Sequence, residues 1–329
     1  MNVLFFSAKE YDIRFFKERS SNFNHTLEFL DLPLNVHTAM MTSGYDAVCV
    51  FVNDKVDAAV IDILRQHQVK VIALRCAGFN NVDLKAASNA GITVVRVPAY
   101  SPHAVAEHTL ALVLTLNRKT HRAYNRIREG NFSLNGLMGF DLNGKTAGII
   151  GLGKIGRVTA GIFRGFGCRV LGYDVAEPEG LNESGIEFTL LDTLFAQADI
   201  ISLHCPLTPD TFHLINPVTI SKMKPGVMLI NTSRGALIDT KAVIEGLKLG
   251  AIGSLGLDVY EEEEHLFFKD LSDKLILDDV FTRLQSFNNV LITGHQAFLT
   301  SNALTNIADI TLENLSAFEA GNIRNEVRS

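Results

Sequence analysis

A strand-like apolar run followed by three spaced glycines constrains this chain more than any other feature. Residues 146–150 form the run, and Gly151, Gly153 and Gly156 follow it at the head of a helical pattern. In a dinucleotide-binding fold the first glycine allows a tight turn, and the second lets the backbone approach a pyrophosphate. The third lets the helix pack closely on its strand, and the positive N-terminus of that helix can hold phosphates.

The next predicted strand supplies the acidic residue that completes this glycine pattern. Residues 169–173 form the strand, and Asp174 follows 18 residues after Gly156. A carboxylate there can accept hydrogen bonds from both hydroxyls of an adenosine ribose and would repel a 2′-phosphate. Because residues 175–177 carry no cation, the pattern predicts NAD rather than NADP as the cofactor.

The charge, apolar and cysteine patterns of the 329 residues exclude several classes of protein. The 36 acidic against 30 basic residues argue against nucleic-acid binding, and no apolar run approaches the length of a membrane span. The N-terminus lacks the basic start and the cleavage site of a signal peptide. The four cysteines show no metal or redox spacing, so we expect free thiols in the cytoplasm and no metal site.

Alternating strand and helix patterns predict an α/β protein with two doubly wound, Rossmann-like parallel-sheet domains. The strand patterns lie at 3–7, 27–30, 46–52, 71–76 and 93–97, and again at 146–150, 169–174, 200–204, 227–231, 254–258 and 290–293. A helical pattern over 102–128 separates the two series. A last helix over 302–319 is expected to return to the first domain. We therefore predict one discontinuous domain of residues 1–100 and 299–329, and one NAD-binding domain of residues 101–298.

Three successive strands of the second series end in chemically active residues. Arg234 follows the strand at 227–231, an acidic run at 261–264 follows the next strand, and His295 follows the last. Ligands of doubly wound sheets bind at these carboxyl ends. A guanidinium can bind a carboxylate bidentately, and a histidine backed by a carboxylate can give a proton to a carbonyl oxygen. The pattern predicts a 2-oxo acid site, although spacing does not select which acidic residue meets His295.

These motifs resemble those of the D-2-hydroxyacid dehydrogenases, most of all the fermentative members that interconvert pyruvate and D-lactate. The resemblance covers nearly the whole chain and is carried by residues 74–83, 97–102, 148–153, 202–208, 231–235 and 294–298. It implies that the discontinuous domain binds the substrate and that the NAD domains associate into a homodimer or homotetramer. It also implies hydride transfer from NADH to pyruvate, and the D-stereochemistry rests on the resemblance alone.

The resemblance assigns roles to particular residues. It implies that Arg234, Glu263 and His295 are catalytic and that Asp258 binds the nicotinamide carboxamide. It further implies that N–H groups around Gly78 and Phe79 help to hold the substrate carboxylate and that Tyr100 lines the pocket. Phe298 is a further candidate for the wall, and three aromatic rings would leave a small cavity that suits a methyl group. We also predict cofactor contacts at Lys154, Ile155, His204, Cys205, Pro206, Thr232 and Ser233.

Several interpretations stay open at this point. His204 and Cys205 are either core residues or cofactor contacts, and the apolar segment 105–116 is either core or a dimer seam. Arg118, Arg122 and Arg126 recur every fourth residue. They form a solvated basic face, or they meet a small anion or the acidic segment 261–288 in an oligomer. Two other functions are a dehydrogenase for a bulkier oxo acid and a non-catalytic NAD-sensing co-repressor.

Overall fold

The computed structural model describes residues 1–181 and 184–328, which divide into two compact units. The first unit is Met1–Ser101 together with residues 299–328, and the second is Pro102–Phe298. Each unit contains one all-parallel sheet, so the predicted α/β fold class is confirmed. Within these ranges no helix combines the length and the apolar character that a membrane crossing needs.

The strands and helices of the first unit are β1 (Asn2–Phe5), α1 (Glu10–Ser20), β2 (Thr26–Phe29), β3 (Ala47–Val50), α2 (Ala58–Gln66), β4 (Val71–Leu74), α3 (Leu84–Asn89), β5 (Thr93–Arg96) and α11 (Ser301–Glu319). The strands form a five-stranded sheet in the doubly wound order β2-β1-β3-β4-β5. The C-terminal helix α11 packs on α1 and β4, so two separate stretches of chain complete the unit.

A buried arginine organises the carboxyl edge of this sheet. Arg75 directly follows β4, and its guanidinium donates hydrogen bonds to the Ser7 carbonyl at 2.8 Å and to Asp12 at 3.3 Å. The side chain is 1% exposed, so its charge relies on these partners rather than on water. The contacts tie the ends of β1 and β4 together and fix the start of the loop that carries Gly78 and Phe79.

The elements of the second unit are α4 (Pro102–Arg118), α5 (Thr120–Arg128), β6 (Thr146–Ile150), α6 (Lys154–Gly165), β7 (Arg169–Tyr173), β8 (Glu187–Phe188), α7 (Leu191–Gln197), β9 (Ile200–Leu203), α8 (Pro217–Ser221), β10 (Val227–Asn231), α9 (Thr240–Lys248), β11 (Ile252–Leu257), α10 (Asp279–Gln285) and β12 (Val290–Ile292). The strands form a seven-stranded sheet in the order β12-β11-β10-β9-β6-β7-β8. Read in reverse and counted from β6 as the first strand, this is the Rossmann order 3-2-1-4-5-6 with one strand added, and the order reverses between β6 and β9.

The prediction of one unbroken helix over 102–128 is wrong. Lys119 adopts a left-handed conformation with φ of 51° and separates α4 from α5. A left-handed residue stops a helix, and like charges four residues apart disfavour its continuation. Lys119 and Arg126 instead donate hydrogen bonds to carbonyl groups of the following loop, those of Met138 at 2.6 Å and Asn135 at 2.8 Å. Within the described ranges, the basic stripe forms no ion pair with the acidic segment.

The apolar segment at 105–116 lies in the core of its own unit. Leu110, Leu112, Val113 and Leu116 are each at most 5% exposed and belong to one apolar cluster with residues of β6 and α6. These four residues are therefore core residues, and a dimer seam on the other face of the segment stays a prediction.

Candidate active site

The glycine loop after β6 has the geometry that its spacing predicts. Gly151 has φ of 96°, and a Cβ atom there would lie 2.5 Å from the backbone nitrogen of Cys205. A Cβ atom on Gly156 would lie 1.9 Å from the Gly151 carbonyl oxygen. A Cβ atom on Gly153, by contrast, would meet no atom of the described residues within 4 Å apart from its chain neighbours. Packing therefore explains the first and third glycines, and the open face at the second fits a pyrophosphate at the N-terminus of α6.

Gly156→Ala is expected to lower both the melting temperature and the NADH affinity. The added methyl group would overlap a backbone oxygen, and overpacking typically costs about 1–3 kcal/mol. Gly161→Ala is the matched control because it lies in the same helix, and apart from the local helix backbone no atom of the described residues lies within 4 Å of the new Cβ. It is expected to stabilise the helix by up to about 1 kcal/mol. Thermal denaturation and an NADH titration of both variants test this, and equal behaviour would contradict the assigned packing role.

Asp174 lies directly after β7 and joins that strand to the glycine loop. Its Oδ2 accepts a hydrogen bond from the Leu152 N–H at 2.8 Å, and its Oδ1 accepts one from the Val175 N–H at 2.8 Å. Each carboxylate oxygen can accept a second bond, so both remain able to bind ribose hydroxyls. The sequence interpretation missed Arg157, which donates hydrogen bonds to the carbonyls of Leu152 at 3.0 Å and Glu179 at 3.1 Å.

The loop after β9 meets the glycine loop at the switch point of the sheet. Burial lowers the pKa of His204 to about 4, so its imidazole is neutral at pH 7 and shares a 2.8 Å hydrogen bond with Ser202. Burial raises the pKa of the Cys205 thiol to about 11, which keeps it protonated. The Ser233 hydroxyl donates to the Cys205 carbonyl at 2.7 Å. The visible contacts of this loop are structural, and its contact with the cofactor stays a prediction.

The other predicted cofactor residues also lie at the carboxyl edge, in loops or in the first turn of a helix. Lys154 and Ile155 form the first turn of α6, and Pro206 is exposed two residues after His204. Thr232 directly follows β10, and its hydroxyl shares a 3.0 Å hydrogen bond with the Thr109 hydroxyl of α4.

The loop after β10 presents an arginine that is available to an anion. Asn231 holds the loop, since its side chain accepts from the Ser233 N–H at 3.0 Å and donates to the Arg234 carbonyl at 2.8 Å. A Cβ atom on Gly235 would lie 2.1 Å from the Tyr260 carbonyl, so only glycine lets this loop approach the end of β11. The half-buried Arg234 guanidinium donates to the Ser233 carbonyl at 2.7 Å. It forms no ion pair within the described part of the chain.

Asp258, at the end of β11, is a buried anchor for the loop after β12. Its carboxylate is fully buried and accepts hydrogen bonds from Thr293 at 2.5 Å, the Gln296 N–H at 2.9 Å and the Ala297 N–H at 2.8 Å. The His108 ring of α4 lies 3.3 Å away. Burial alone would raise the pKa of Asp258, but these hydrogen bonds together lower it. The structure gives Asp258 this anchoring role, and its predicted contact with nicotinamide stays a prediction.

His295 and Glu263 meet at the same edge. Nδ1 of His295 lies 2.8 Å from Oε1 of Glu263, while Oε2 accepts from the Tyr260 N–H at 3.0 Å. Because a carboxylate only accepts, Nδ1 carries the hydrogen of this bond, and Nε2 has no hydrogen-bond partner among the described residues. His295 has φ of 54°, a conformation that costs about 1–3 kcal/mol and is held by its N–H bond to the Asp258 carbonyl at 2.7 Å. The imidazole is thus positioned with one nitrogen available.

The acidic run contributes one partner to His295. Glu261 instead accepts hydrogen bonds from His213 at 2.6 Å and from the Thr240 hydroxyl at 2.9 Å, and the other two members of the run are exposed. The run folds as a turn that leads into a short 3-10 helix (Glu263–His265), so Glu261 and Glu263 meet different partners. This contact of Glu263 is the one that the family resemblance implied and that spacing left open.

The predicted substrate residues outside this cluster have varied surroundings. Gly78 and Phe79 are half-buried in the loop after β4, where the Arg96 guanidinium lies 5.1 Å from the Phe79 ring centre. Tyr100 is half-buried near the end of the first segment of its unit. Phe298, the last residue of the second unit, is 6% exposed and packs as a core residue. The contact of these four residues with substrate stays a prediction.

A Rossmann sheet with this glycine loop and a positioned histidine at its carboxyl edge defines a dinucleotide-binding oxidoreductase. Residues 110–297 match the family described as D-isomer specific 2-hydroxyacid dehydrogenase, NAD binding domain. The chain belongs to the D-2-hydroxyacid dehydrogenase family and is an NAD-dependent oxidoreductase.

Individual relatives match over nearly the full length. The chain is 54% identical to the D-lactate dehydrogenase of Escherichia coli, over 98% of both sequences. The apo structure of D-lactate dehydrogenase from Escherichia coli is similar, with a TM-score of 0.91, 52% identity and coverage of 99% of this chain and 100% of that one. The D-lactate dehydrogenase of Aquifex aeolicus, solved with NAD and lactic acid, has a TM-score of 0.85 at 37% identity, covering 97% of this chain and 96% of that one.

Proposed function

We propose that this enzyme is a D-lactate dehydrogenase that transfers hydride reversibly between NADH and pyruvate. The observation that carries the proposal is the 2.8 Å contact between His295 and Glu263, which leaves Nε2 available at the carboxyl edge of the sheet. The same edge carries Arg234, a half-buried arginine that forms no ion pair with the described residues. The names of the Escherichia coli and Aquifex aeolicus relatives support lactate as the hydroxy acid. The catalytic roles below are part of the proposal.

Arg234 binds the substrate carboxylate in this proposal. It follows β10, and His295 follows β12, with β11 between them in the sheet. Neighbouring strands lie about 4.8 Å apart, so the two strand ends are separated by roughly 10 Å. An extended arginine side chain spans much of that distance, and the remaining gap has room for the three carbons of pyruvate. The planar guanidinium can bind both carboxylate oxygens and so orient the carbonyl group.

His295 moves the proton. When bound, NADH supplies the hydride that adds to the carbonyl carbon of pyruvate. The imidazolium Nε2 then gives its proton to the carbonyl oxygen, so pyruvate, NADH and one proton yield lactate and NAD⁺. Glu263 holds the ring through Nδ1 and stabilises the imidazolium before transfer. In the reverse direction the neutral Nε2 accepts the hydroxyl proton of lactate.

Pyruvate is expected to outcompete 2-oxoisocaproate in kcat/KM by about 10- to 150-fold, because overfilling a packed site costs about 1–3 kcal/mol. The resemblance implies that Tyr100 lines the pocket, and Phe79 and Phe298 are further candidates for its wall, so the space beside the oxo group favours a methyl group. Loss of NADH absorbance with each oxo acid gives the two values and also tests the proposed function. Equal kcat/KM for both acids would contradict the lactate proposal and favour a dehydrogenase for a bulkier oxo acid.

The unmutated enzyme is expected to prefer NADH strongly to NADPH, and Asp174→Asn is expected to weaken this preference. A hydrogen bond to a charged group contributes about 1.5–3 kcal/mol, so losing the charge should raise KM for NADH by about 10- to 100-fold. Asparagine keeps an acceptor for the Leu152 N–H, which limits damage to the glycine loop. Glu177→Gln is the control, since this exposed acid lies three residues away. Equal efficiency of the unmutated enzyme with both cofactors would refute the assignment.

We further propose that the enzyme works in the cytoplasm as a homodimer or homotetramer. The four cysteines are buried free thiols, which suits a reducing compartment. The oligomeric state is inferred from the family resemblance, and sedimentation analysis of the purified protein measures it.

A further inference from the structure

An open cavity lies at the amino-terminal edge of the sheet in the second unit. Its volume is about 530 Å³, within the range of roughly 300–1,000 Å³ that is typical of small-molecule sites. Its lining includes residues at or just before the starts of β6, β9, β10 and β11. The candidate active site is at the opposite edge, and the five residues of β10 separate the two edges by roughly 16 Å.

Three half-buried lysines line this cavity, namely Lys119, Lys145 and Lys224. Among the described residues of the lining, the only carboxylate is that of Asp199, which accepts from Lys224 at 2.9 Å and from the Thr146 N–H at 2.8 Å. Burial alone would raise the pKa of Asp199, but the N–H group and the nearby lysines lower it, so it is ionised. Three cations against one anion leave two positive charges without compensation at the cavity.

The lysines also keep most of their hydrogen-bond donors available. Lys119 uses one donor on the Met138 carbonyl at 2.6 Å, and Lys224 uses one on Asp199. Nζ of Lys145 lies 5.5 Å from the centre of the Phe140 ring and donates to no oxygen of the described residues. Each ammonium group carries three donors, so the cavity can satisfy several anionic oxygens at once.

The rest of the lining is apolar and partly exposed. Met138 is 88% exposed and Phe140 is 39% exposed, and both line the cavity beside the buried Leu116 and Val227. Such side chains favour a ligand with an apolar part. We propose that the cavity binds a small organic dianion, either a phosphate monoester or a dicarboxylate, through Lys145, Lys224 and Lys119.

Calorimetric titration of the full-length protein with phenyl phosphate and with succinate tests this proposal. Each titration contains saturating NADH, which covers the glycine loop so that the probes do not bind there. A repeat of the titrations with the Arg234→Gln variant removes probe binding at the proposed carboxylate site. Lys145→Gln and Lys224→Gln are the test variants. Lys145→Gln breaks no ion pair with the described residues, so it gives a result even if loss of the Lys224–Asp199 pair impairs folding. Lys222→Gln is the matched control, because this exposed lysine pairs with Asp192 outside the cavity.

We expect one site per chain for at least one probe, with affinity at least 10-fold weaker in Lys145→Gln and unchanged within about 2-fold in Lys222→Gln. Preference for one probe identifies the ligand as a phosphate ester or a dicarboxylate. Three outcomes overturn the proposal. These are no binding of either probe, equal loss in Lys222→Gln from a general field effect, and binding that disappears in Arg234→Gln.

Discussion

In the His295→Ala variant, kcat for pyruvate reduction is expected to fall by about 10²- to 10⁴-fold, the usual contribution of a positioned general acid. The reason is the orientation of the ring, which the 2.8 Å bond to Glu263 holds with Nε2 available. His213→Ala is the matched control, since His213 forms a comparable 2.6 Å contact with Glu261 in the same unit. Its loss is expected to change kcat by less than about 3-fold. Similar losses in both variants would show a general structural effect rather than proton transfer.

The pH dependence of the two reaction directions gives a second test, which distinguishes proton transfer by His295 from a purely structural role. Reduction needs the protonated imidazole and oxidation needs the neutral one, so their rates should fall at opposite ends of the pH range. In His295→Ala the remaining activity should lose this opposition. A pH dependence that is unchanged in the variant would assign the proton to another group.

In the Arg234→Gln variant, kcat/KM for pyruvate is expected to fall by about 10²- to 10⁴-fold. A guanidinium that binds a carboxylate through two hydrogen bonds contributes about 1.5–3 kcal/mol for each, and glutamine offers neither the charge nor the fork. Arg234→Lys keeps the charge and should recover only part of the loss. Most of the effect should appear in KM for pyruvate, with NADH binding unchanged within about 3-fold.

Arg283→Gln is the control for this prediction. Arg283 is an exposed arginine of α10 whose guanidinium lies 4.7 Å from the Phe287 ring centre, so its replacement makes the same change in net charge elsewhere in the unit. If neither Arg283→Gln nor Arg234→Gln changed the kinetics, Arg234 would not be the residue that binds the substrate carboxylate.

The fold was predictable because parallel strands that are buried on both faces appear in the sequence as short apolar runs. The glycine spacing then shows which of these runs is the first strand of the Rossmann sheet. The run before Gly151 and the acid at position 174 identify the first two strands of a Rossmann sheet without any long-range information. The rule that ligands bind at carboxyl ends then placed Arg234 and His295 at one edge. The order β10-β11-β12 in the sheet confirms that their strands lie within two positions of each other.

The contacts that sequence could not give are those between distant residues. Asp258 binds Thr293 and lies beside His108, which is 150 positions earlier in the chain, and no local spacing links them. Among four adjacent glutamates, the choice of Glu263 depends on the turn that the chain makes there. The break at Lys119 depends on hydrogen bonds to a loop some twenty residues away, whereas the local pattern favoured one long helix.

The most direct test of the proposed function is chiral analysis of the product formed from pyruvate and NADH by the purified protein. We predict D-lactate as the product, with one NADH consumed for each lactate formed and the reaction abolished or strongly slowed in His295→Ala and Arg234→Gln. Formation of L-lactate, or consumption of NADH only with larger oxo acids, would contradict the proposal.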